Sequence, residues 1–382
     1  MKKIFFLIVS LCAAIYACAA DVADKKLRKQ DKIFMPEKIY AVPGVECNIY
    51  FKNIFLALNQ DNYVFDVDCK IGRNDLRRWR YVPTEKDGGK KFPLTLKVYD
   101  EDGLVAERST TVYIAHADAG KDRKINILQI GDSLTNYTIH SEQLYNHCLK
   151  PGNPELTMIG TRHFNPRGMK IADAVRHEGY AGWRWKSFLT NFGGKKHSKF
   201  LFKKDGKIVV SLADYLKKYN FPTPDVITVQ LGGNDIFAAV DDNRDERIKE
   251  ILADADTLIA ALRKDAPNAI FGVGFLPPNA NQDAFGDKYK CRQTAWGKQK
   301  NQFYMNCAMQ KHFAAKHPDI IMIPTGLGVD SENNFPVRKE LVNQRNKTVV
   351  ARQNNGVHPN HDGYRQVGDV NYAWLKNVLD KK

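Results

Sequence analysis

The sequence predicts an α/β fold: a three-layer α/β/α sandwich with a mostly parallel sheet, preceded by a small β-sandwich domain. The first observation is a set of continuous apolar runs late in the chain: INILQI (125–130), VITVQL (226–231), AIFGVGF (269–275) and DIIMIP (319–324). Such runs are typical of parallel strands that are covered on both faces. The second observation is helical spacing of apolar residues between two of these runs, at Ile248, Ile251, Leu252, Ala255, Leu258, Ile259 and Leu262. The same spacing recurs at the C-terminal end, at Tyr364, Val367, Val370, Trp374, Leu375, Val378 and Leu379. Alternation of strand and helix defines the fold class.

The region before residue 116 has a different pattern, with short segments that are typical of strands. These segments are KIYAV (38–42), CNIYFKNIFLAL (47–58), YVFDVDCKI (63–71), RRWRYVP (77–83), PLTLKVYD (93–100) and VAERSTTVYIA (105–115). Between the last two, DEDG (100–103) indicates a hairpin turn. The polar stretch 115–124 marks a domain boundary. We therefore predict a β-sandwich domain over 30–116 and a second domain over 122–382.

The first 20 residues have the features of an export signal. Lys2 and Lys3 precede the run IFFLIVSLCAAIYACAA, which is too short and too soon followed by charge for a typical membrane-spanning helix. We expect cleavage after a small-residue site such as ACA or CAA, with lipid attachment at Cys18 as the alternative. The predicted location is exported, periplasmic or secreted, or a lipoprotein if Cys18 carries a lipid.

Composition indicates a basic globular protein. The 382 residues are 43% hydrophobic and carry a formal net charge of +15. Removal of residues 1–20, which hold two lysines and no acidic residue, leaves +13. Such a charge steers a protein toward acidic polymers or anionic surfaces, although a solvated lysine-rich surface is the simpler interpretation. No basic block or aromatic-interleaved basic stripe is evident, so a nucleic-acid partner is not predicted.

The cysteines allow disulfides in an exported protein. The pairings to test are Cys47 with Cys69 and Cys291 with Cys307, which leaves Cys148 free. No group of cysteine and histidine residues has metal-ligand spacing, so neither a metal site nor another cofactor is predicted.

Four short motifs carry the residues with catalytic chemistry. GDSLT follows the run INILQI and puts Ser133 on the turn after that strand, and GGND follows VITVQL and puts Asn234 on an equivalent turn. Between them HEGYAGWRW contains Gly182, and NGVHP puts His358 just before the last helix. Each motif alone is more often a turn, a loop or a core histidine than a catalytic group. The ordered set favours catalysis, because ligands gather at the carboxyl ends of the strands in open α/β sheets.

With these motifs the sequence resembles the SGNH, or GDSL, hydrolase family over roughly residues 124–382. The family's nucleophile block matches GDSL, its glycine block matches GYAGW, and its Gly-x-Asn-Asp block matches GGND. The resemblance implies that Ser133 is the nucleophile and His358 the general base. It also implies an oxyanion hole formed by the Ser133 N–H, the Gly182 N–H and the Asn234 side-chain amide. The family spans lipases, thioesterases and carbohydrate O-deacetylases.

Asn355 departs from the family's pattern, which has an aspartate three residues before the histidine. That aspartate would accept the imidazole Nδ1–H, whereas an asparagine can hold the wrong tautomer, although its carbonyl oxygen can also accept this bond. Three outcomes are open: a Ser133–His358 pair oriented by Asn355 or a backbone carbonyl, an inactive ligand-binding relative, or a carboxylate from a distant loop. Asp362, four residues after the histidine, is expected to be a cap or surface acid rather than a substitute orienting group.

The segment around the oxyanion glycine and one long loop are the predicted substrate contacts. Asp132, Trp183, Arg184 and Trp185 are the predicted substrate-binding residues, with core packing of the two tryptophans as the alternative. The segment 276–299 has few apolar residues, and loops of that size near a site are often functional. The prediction is an exported serine esterase that removes acyl groups, acetyl in particular, from a carbohydrate through an acyl-enzyme. The alternatives are a catalytically impaired SGNH-fold carbohydrate-binding protein and a lipid esterase.

Overall fold

The structure is a computed structural model, and it describes residues 32–166, 168–194, 196–282, 284–285 and 293–380. The predicted export signal with Cys18, and Cys291 with its proposed pairing, lie outside the described residues.

The first part of the chain forms two small sheets and a short helix. Its elements are β1 (Lys38–Ala41), β2 (Cys47–Tyr50), α1 (Phe51–Ile54), β3 (Val64–Cys69), β4 (Arg73–Asp75), β5 (Arg78–Tyr81), β6 (Lys91–Asp100) and β7 (Gly103–Ile114). One sheet has the order β1-β7-β6-β3 and the other β2-β5-β4. In the β6–β7 hairpin Asp100 pairs with Gly103, which confirms the turn predicted from DEDG.

The predicted strand over 47–58 is wrong in its second half. The strand β2 ends at Tyr50 and the chain turns into α1, whose Phe51 and Ile54 are buried. The Tyr50 N–H donates to the Leu327 carbonyl at 3.0 Å, and the Asn53 side-chain amide donates to the Val329 carbonyl at 2.8 Å. These partners come from the second part of the chain, so an apolar run that has strand-like composition is used as a packing surface instead.

The second part alternates strands and helices, as predicted. Its elements are β8 (Lys124–Gly131), α2 (Ser133–Asn136), α3 (Ile139–Cys148), β9 (Glu155–Ile159), β10 (Glu178–Gly179), α4 (Trp185–Thr190), β11 (Leu201–Lys204), β12 (Lys207–Val210), α5 (Leu212–Tyr219), β13 (Val226–Gln230), α6 (Gly233–Ile236), α7 (Arg244–Asp265), β14 (Ile270–Gly274), α8 (Ala295–Lys316), β15 (Ile321–Ile323), β16 (Val337–Leu341), β17 (Val349–Gln353) and α9 (His361–Leu379).

The main sheet is parallel throughout, with the order β8-β13-β14-β15 and with β9 and β10 both beside β8. One face packs on α7 and α8 through strand residues that include Leu128, Ile227 and Phe271. The opposite face packs on α3 and α9 through neighbouring positions that include Ile127 and Val226. Burial on both faces is the physical reason for the continuous apolar runs. The fold is therefore α/β with a largely parallel sheet, while the full three-layer arrangement stays a prediction.

The two parts of the chain share one hydrophobic cluster. Trp79 and Leu94 from the first part lie in the same cluster as Leu276 and Met309 from the second. The Phe34 ring also packs edge-to-face on Phe275, 4.8 Å between centroids. A separate N-terminal β-domain stays a prediction, because its core is continuous with that of the α/β part.

Two further predictions concern cysteines and membranes. Cys47 and Cys69 are free thiols in the structure, so the predicted pairing between them is wrong, and Cys148 is free as well. Within the described residues, no helix combines the length and the apolar character that crossing a membrane requires.

Candidate active site

Ser133 lies where the central strand β8 turns into α2. A Cβ on Gly131 would lie 2.0 Å from the Thr135 hydroxyl oxygen, so only glycine fits at the end of this strand. Asp132 caps the helix, because its Oδ1 accepts the Leu134 N–H at 2.9 Å. The serine is 8% exposed and sits at the carboxyl edge of the sheet.

The chain brings His358 to this serine from 225 residues away. The imidazole Nε2 lies 2.8 Å from the Ser133 hydroxyl oxygen. The Tyr137 ring lies beside the imidazole, 5.6 Å between centroids, and stacks on Tyr364 at 5.3 Å. A hydroxyl and an imidazole at this distance form the pair that base-assisted attack on an acyl group requires.

The buried side chain of Asn355 holds the backbone that leads to His358. Its Oδ1 accepts the N–H groups of Val357 and His358, both at 3.1 Å. Because these groups are donors, the acceptor must be the amide oxygen, and the NH2 group points away from these two N–H groups. The oxygen that could have accepted the imidazole Nδ1–H is thus already used by the backbone.

Asp362 does not orient the imidazole. Its carboxylate is 68% exposed and pairs with Arg365 at 2.9 Å in the first turn of α9. The cap of that helix is Asn360, whose side chain accepts the Gly363 N–H.

Gly182 occupies a tight turn beside the site. The Trp183 N–H donates to the Tyr180 carbonyl at 3.1 Å, which closes a four-residue turn with Gly182 at its third position. The glycine has φ +77°, the value that a type II turn requires at this position. Glycine is therefore needed here for its backbone conformation, while a Cβ would meet no protein atom within 4 Å.

The Asn234 side chain connects three of the motifs. Its amide nitrogen donates to Asp132 Oδ2 at 3.2 Å and to the Trp183 carbonyl at 2.9 Å. Both hydrogens of the amide therefore have protein acceptors, and the amide must release one of them to donate to an oxyanion.

A buried group of charges behind these residues was not predicted. Lys298 on α8 is 2% exposed and donates to the Gly233 carbonyl at 3.3 Å. Burial raises the pKa of Asp132 to about 6 and the pKa of Asp235 to about 7, and burial lowers the pKa of Lys298 to about 8. The lysine's charge opposes the rise at Asp132, so the ammonium favours the ionised carboxylate that accepts the oxyanion amide.

Three of the four predicted substrate-binding residues are buried in the structure. Trp183 and Trp185 are 3% and 1% exposed, and the Trp183 ring stacks on Tyr180 at 4.0 Å, so both belong to the core. Asp132 is buried and uses both carboxylate oxygens within the protein. Arg184 is exposed.

A cavity of about 30 Å³ lies beside the serine. Its lining includes Asn234, Phe237, Val357, and Leu276 and Pro277 from the start of the predicted loop. A larger cavity of about 330 Å³ lies between the two parts of the chain, lined by residues that include Tyr50, Lys52, Arg77, Asp330 and Glu332.

A group that could hold a metal ion lies away from this site. The ligand atoms of Asp256, His312 and His317 lie within 4.8 Å of one another. Lys316 also donates to the Asp256 carboxylate at 2.7 Å. His312 is about 20 Å along α8 from Lys298, so this group is not part of the serine site.

A hydroxyl–imidazole pair at the carboxyl edge of a parallel sheet defines an α/β protein with a hydrolase-type site.

Comparison with known proteins finds similarity to an esterase. A multidomain esterase of Ruminococcus flavefaciens is 23% identical over 267 residues, which are 66% of this chain and 28% of the relative. The chain thus spans about a quarter of that relative's length.

Solved structures give similar results. A family 3 carbohydrate esterase from Talaromyces cellulolyticus has a TM-score of 0.41 at 14% identity, over 67% of this chain and 98% of its own. A family 3 carbohydrate esterase of Clostridium thermocellum has a TM-score of 0.40 at 16% identity, over 68% and 100%. A carbohydrate acetylesterase of Sinorhizobium meliloti has a TM-score of 0.36 at 12% identity, over 66% and 99%. No family model matches the chain. The relative and the three structures named here are described as esterases.

Proposed function

We propose that this chain is an exported serine esterase that removes small acyl groups, acetyl in particular, from a carbohydrate through an acyl-enzyme. The observation that carries the proposal is the 2.8 Å distance between the Ser133 hydroxyl oxygen and His358 Nε2. In the productive tautomer, the hydroxyl donates to Nε2 while Nδ1 carries the other proton.

The chemistry proceeds in two halves. The Ser133 oxygen attacks the ester carbonyl while His358 takes the hydroxyl proton, and the imidazolium then protonates the departing sugar oxygen. Water, activated by the same imidazole, releases the acyl group from the serine in the second half. No step requires a metal or a cofactor.

The negative charge of each tetrahedral intermediate needs donors. The Gly182 turn and the Asn234 amide are the proposed sources, together with the Ser133 N–H at the first position of α2. Each such donor is typically worth about 10²–10³ in rate. The Asn234 amide takes part when it exchanges its bond to Asp132 or to the Trp183 carbonyl for one to the oxyanion.

The size of the cavity supports a small acyl group. The cavity beside the serine, about 30 Å³, is small, which favours a small acyl group. A long lipid acyl chain would need far more room. Support for a carbohydrate comes from the predicted export and from the resemblance to carbohydrate esterases.

A catalytically impaired, carbohydrate-binding protein is the second candidate, and Asn355 favours it. Its oxygen accepts two backbone N–H groups, whereas an aspartate has a second carboxylate oxygen for the imidazole Nδ1–H.

Hydrolysis of p-nitrophenyl acetate tests the proposal. We expect turnover by the wild type and a loss of at least about 10³-fold in Ser133→Ala, because the nucleophile is removed. Ser109→Ala, the same change at an exposed position on β7, is the control and should retain full activity. Equal background rates for the wild type and Ser133→Ala would reject the esterase and favour the impaired protein.

A further inference from the structure

Two aromatic side chains that reach the surface lie beside the proposed general base. Tyr137 is half-buried, and its ring centroid lies 5.6 Å from that of His358. The Phe164 ring packs edge-to-face on Tyr137, 5.9 Å between centroids, and Phe164 is 42% exposed. Two consecutive ring contacts therefore connect Phe164 to the His358 imidazole. Tyr137 and Phe164 are called the aromatic rim below.

One buried hydroxyl fixes the backbone of the aromatic rim. Thr138, the residue after Tyr137, is 0% exposed, and its Oγ1 accepts the Phe164 N–H at 3.2 Å. The same hydroxyl donates to the Asn136 carbonyl at 3.2 Å and lies 2.9 Å from His177 Nε2. The two aromatic residues are far apart in the chain, yet they are held through a single side chain.

Thr138 also has a strained backbone. Its φ is +67° and its ψ is −22°, in the left-handed region that β-branched residues rarely adopt. Such outliers cost stability, and they cluster at active sites and ligand-binding sites, where the surrounding contacts hold them. Here the strained residue directly follows the ring beside the imidazole, so the strain fixes the place of the aromatic rim.

The segment that carries Phe164 also borders the Gly182 turn. The guanidinium of Arg162 lies 5.3 Å from the ring centroid of Tyr180, the first residue of that turn. Its Nη2 donates to Asn136 Oδ1 at 3.1 Å, at the end of α2. The segment therefore contacts both the helix that begins with the serine and the turn proposed for the oxyanion.

The proposed chemistry brings the sugar to the imidazole. The imidazolium must protonate the departing sugar oxygen, so this oxygen lies within hydrogen-bond distance of His358 Nε2 during the reaction. The acyl group is assigned to the cavity beside the serine, and neither Tyr137 nor Phe164 is among the residues that line it. The sugar ring, which is bonded to the departing oxygen, is thus placed among the neighbours of the imidazole, and Tyr137 is one of them.

We propose that the aromatic rim is the subsite for the sugar that carries the acyl group, with Phe164 stacked on the apolar C–H face of a pyranose ring. This inference rests on the proposed function and adds that the alcohol released is a pyranose. An exposed aromatic face suits such a ring, because contact removes apolar surface from water while the hydroxyls at the edge of the sugar stay solvated. A lipid alcohol is less suitable, because the exposed neighbours Arg162 and Asn165 are polar.

Steady-state kinetics on two acetate esters tests the aromatic rim. Acetylated methyl β-xylopyranoside releases a pyranose, and triacetin releases an acyclic alcohol. Phe164→Leu keeps an apolar side chain but removes the aromatic face. We expect it to lower the ratio of kcat/KM for the pyranoside to kcat/KM for triacetin about fivefold, through KM for the pyranoside, which is the scale of one aromatic contact. Phe164→Trp, which retains an aromatic face, should keep the wild-type ratio.

Phe192→Leu is the matched control. Phe192 is 46% exposed, and its ring packs on His197 at 5.1 Å between centroids. Burial and the nearby charges of Lys199 and Lys218 lower the pKa of His197, so Phe192 lies in the neighbourhood of Lys218 near the end of α5. That helix leads into the amino end of β13, the edge of the sheet opposite the serine. The control should therefore keep the wild-type ratio.

Each result bears on the proposal. An unchanged ratio in Phe164→Leu, or an equal fall in Phe192→Leu, would overturn it. A larger rise in KM for decyl acetate than for the pyranoside would assign the aromatic rim to a lipid alcohol and would also overturn it.

A binding experiment separates failure of the aromatic rim from failure of the esterase. Turnover of p-nitrophenyl acetate that depends on Ser133 establishes the esterase by itself. If no ester is hydrolysed, saturation-transfer NMR with the acetylated pyranoside decides the question. A transfer signal that Phe164→Leu loses and Phe192→Leu keeps would still support the aromatic rim, whereas equal signals in the two variants would overturn it.

Discussion

Replacing Asn355 by aspartate should raise kcat. The Asn355 oxygen accepts the N–H groups of Val357 and His358 at 3.1 Å, and an aspartate retains both bonds with one carboxylate oxygen. Its second oxygen then stands where the asparagine has an NH2 group. The substitution therefore replaces a hydrogen-bond donor by an acceptor on the buried side chain three residues before His358, without a change in the shape of that side chain.

The expected gain follows from two limits. In a serine protease, the reverse change from aspartate to asparagine lowers kcat by about 10⁴-fold, so that is the most that Asn355→Asp can restore. A charge-assisted hydrogen bond to the imidazolium is worth roughly 1.5–3 kcal/mol, or about 10- to 100-fold in rate. We expect the lower range, because the side chain is 5% exposed and ionising it there has a desolvation cost.

The assay is kcat for p-nitrophenyl acetate at pH 7–8. Asn360→Asp is the matched control: this residue caps α9 by accepting the Gly363 N–H at 3.0 Å, and the same change there should leave kcat unaltered. A variant Asn355→Asp that folds with unchanged or lower kcat would refute the reasoning. The imidazole would then be oriented by another group, and the asparagine would serve the backbone alone.

Two further predictions concern the support of the oxyanion hole. Lys298→Met should move the acid limb of kcat/KM to higher pH by on the order of one unit. Burial raises the pKa of Asp132 to about 6, and the charge of Lys298 opposes this rise. Without the lysine, Asp132 is protonated at higher pH, and the protonated acid is a weaker acceptor for the oxyanion amide. A pH–rate profile checks this, and Lys300→Met, which removes a surface pair two residues along the same helix, should leave the profile in place. Gly182→Ala should lower the free energy of unfolding by about 1 kcal/mol, since φ is +77°, and should also lower kcat. Gly44→Ala is the control, because Gly44 has φ +80° and a Cβ there would meet no atom within 4 Å. It should lower the free energy of unfolding by a similar amount in thermal denaturation and leave kcat unchanged. Equal kcat in both variants would contradict a role for the Gly182 turn.

The main sheet could be predicted because its signal is strong and local. The runs at 125–130 and 226–231 became β8 and β13 within one or two residues at each end. Strands buried on both faces must be apolar at every position, so their composition alone separates them from amphipathic elements. The residues just beyond these strands, Ser133 and Asn234, were found for the same reason, since the end of a parallel strand fixes the edge of the sheet.

The burial of the two tryptophan side chains could not be predicted from the motif alone. Trp183 and Trp185 flank the exposed Arg184, and their place beside the oxyanion glycine suggested that they contact a substrate. Both are instead buried, because Trp183 stacks on Tyr180 and Trp185 begins α4. Whether an aromatic side chain next to a site packs inward or meets a ligand depends on the neighbours that the fold supplies, and these do not appear in the local sequence.

The helix α8 was missed because much of the face it buries is polar, although it also buries Phe303, Met305, Met309 and Phe313. The buried positions Lys298, Asn301, Gln302 and Asn306 follow helical spacing, but a search for apolar periodicity does not detect them. Each is buried because it satisfies backbone groups that lack a strand or helix partner. Asn306 both accepts the Leu276 N–H and donates to its carbonyl, and Asn301 donates to the Ala239 carbonyl at 2.8 Å.

These polar side chains of α8 hydrogen-bond the loops that border the serine site and so hold their backbone in place. The loop after β14 and the turn after β13 both border the cavity next to the serine, and neither has a neighbouring strand to hold its backbone. The polar face of α8 provides that support, with Lys298 on Gly233 and Gln302 on the Pro277 carbonyl. An apolar helix in the same place would leave those carbonyls unsatisfied, at a cost of roughly 1–3 kcal/mol each. The polar pattern that hid the helix from sequence reasoning is therefore a mark of its proximity to the site, and a lysine in it supplies the positive charge that two buried carboxylates require.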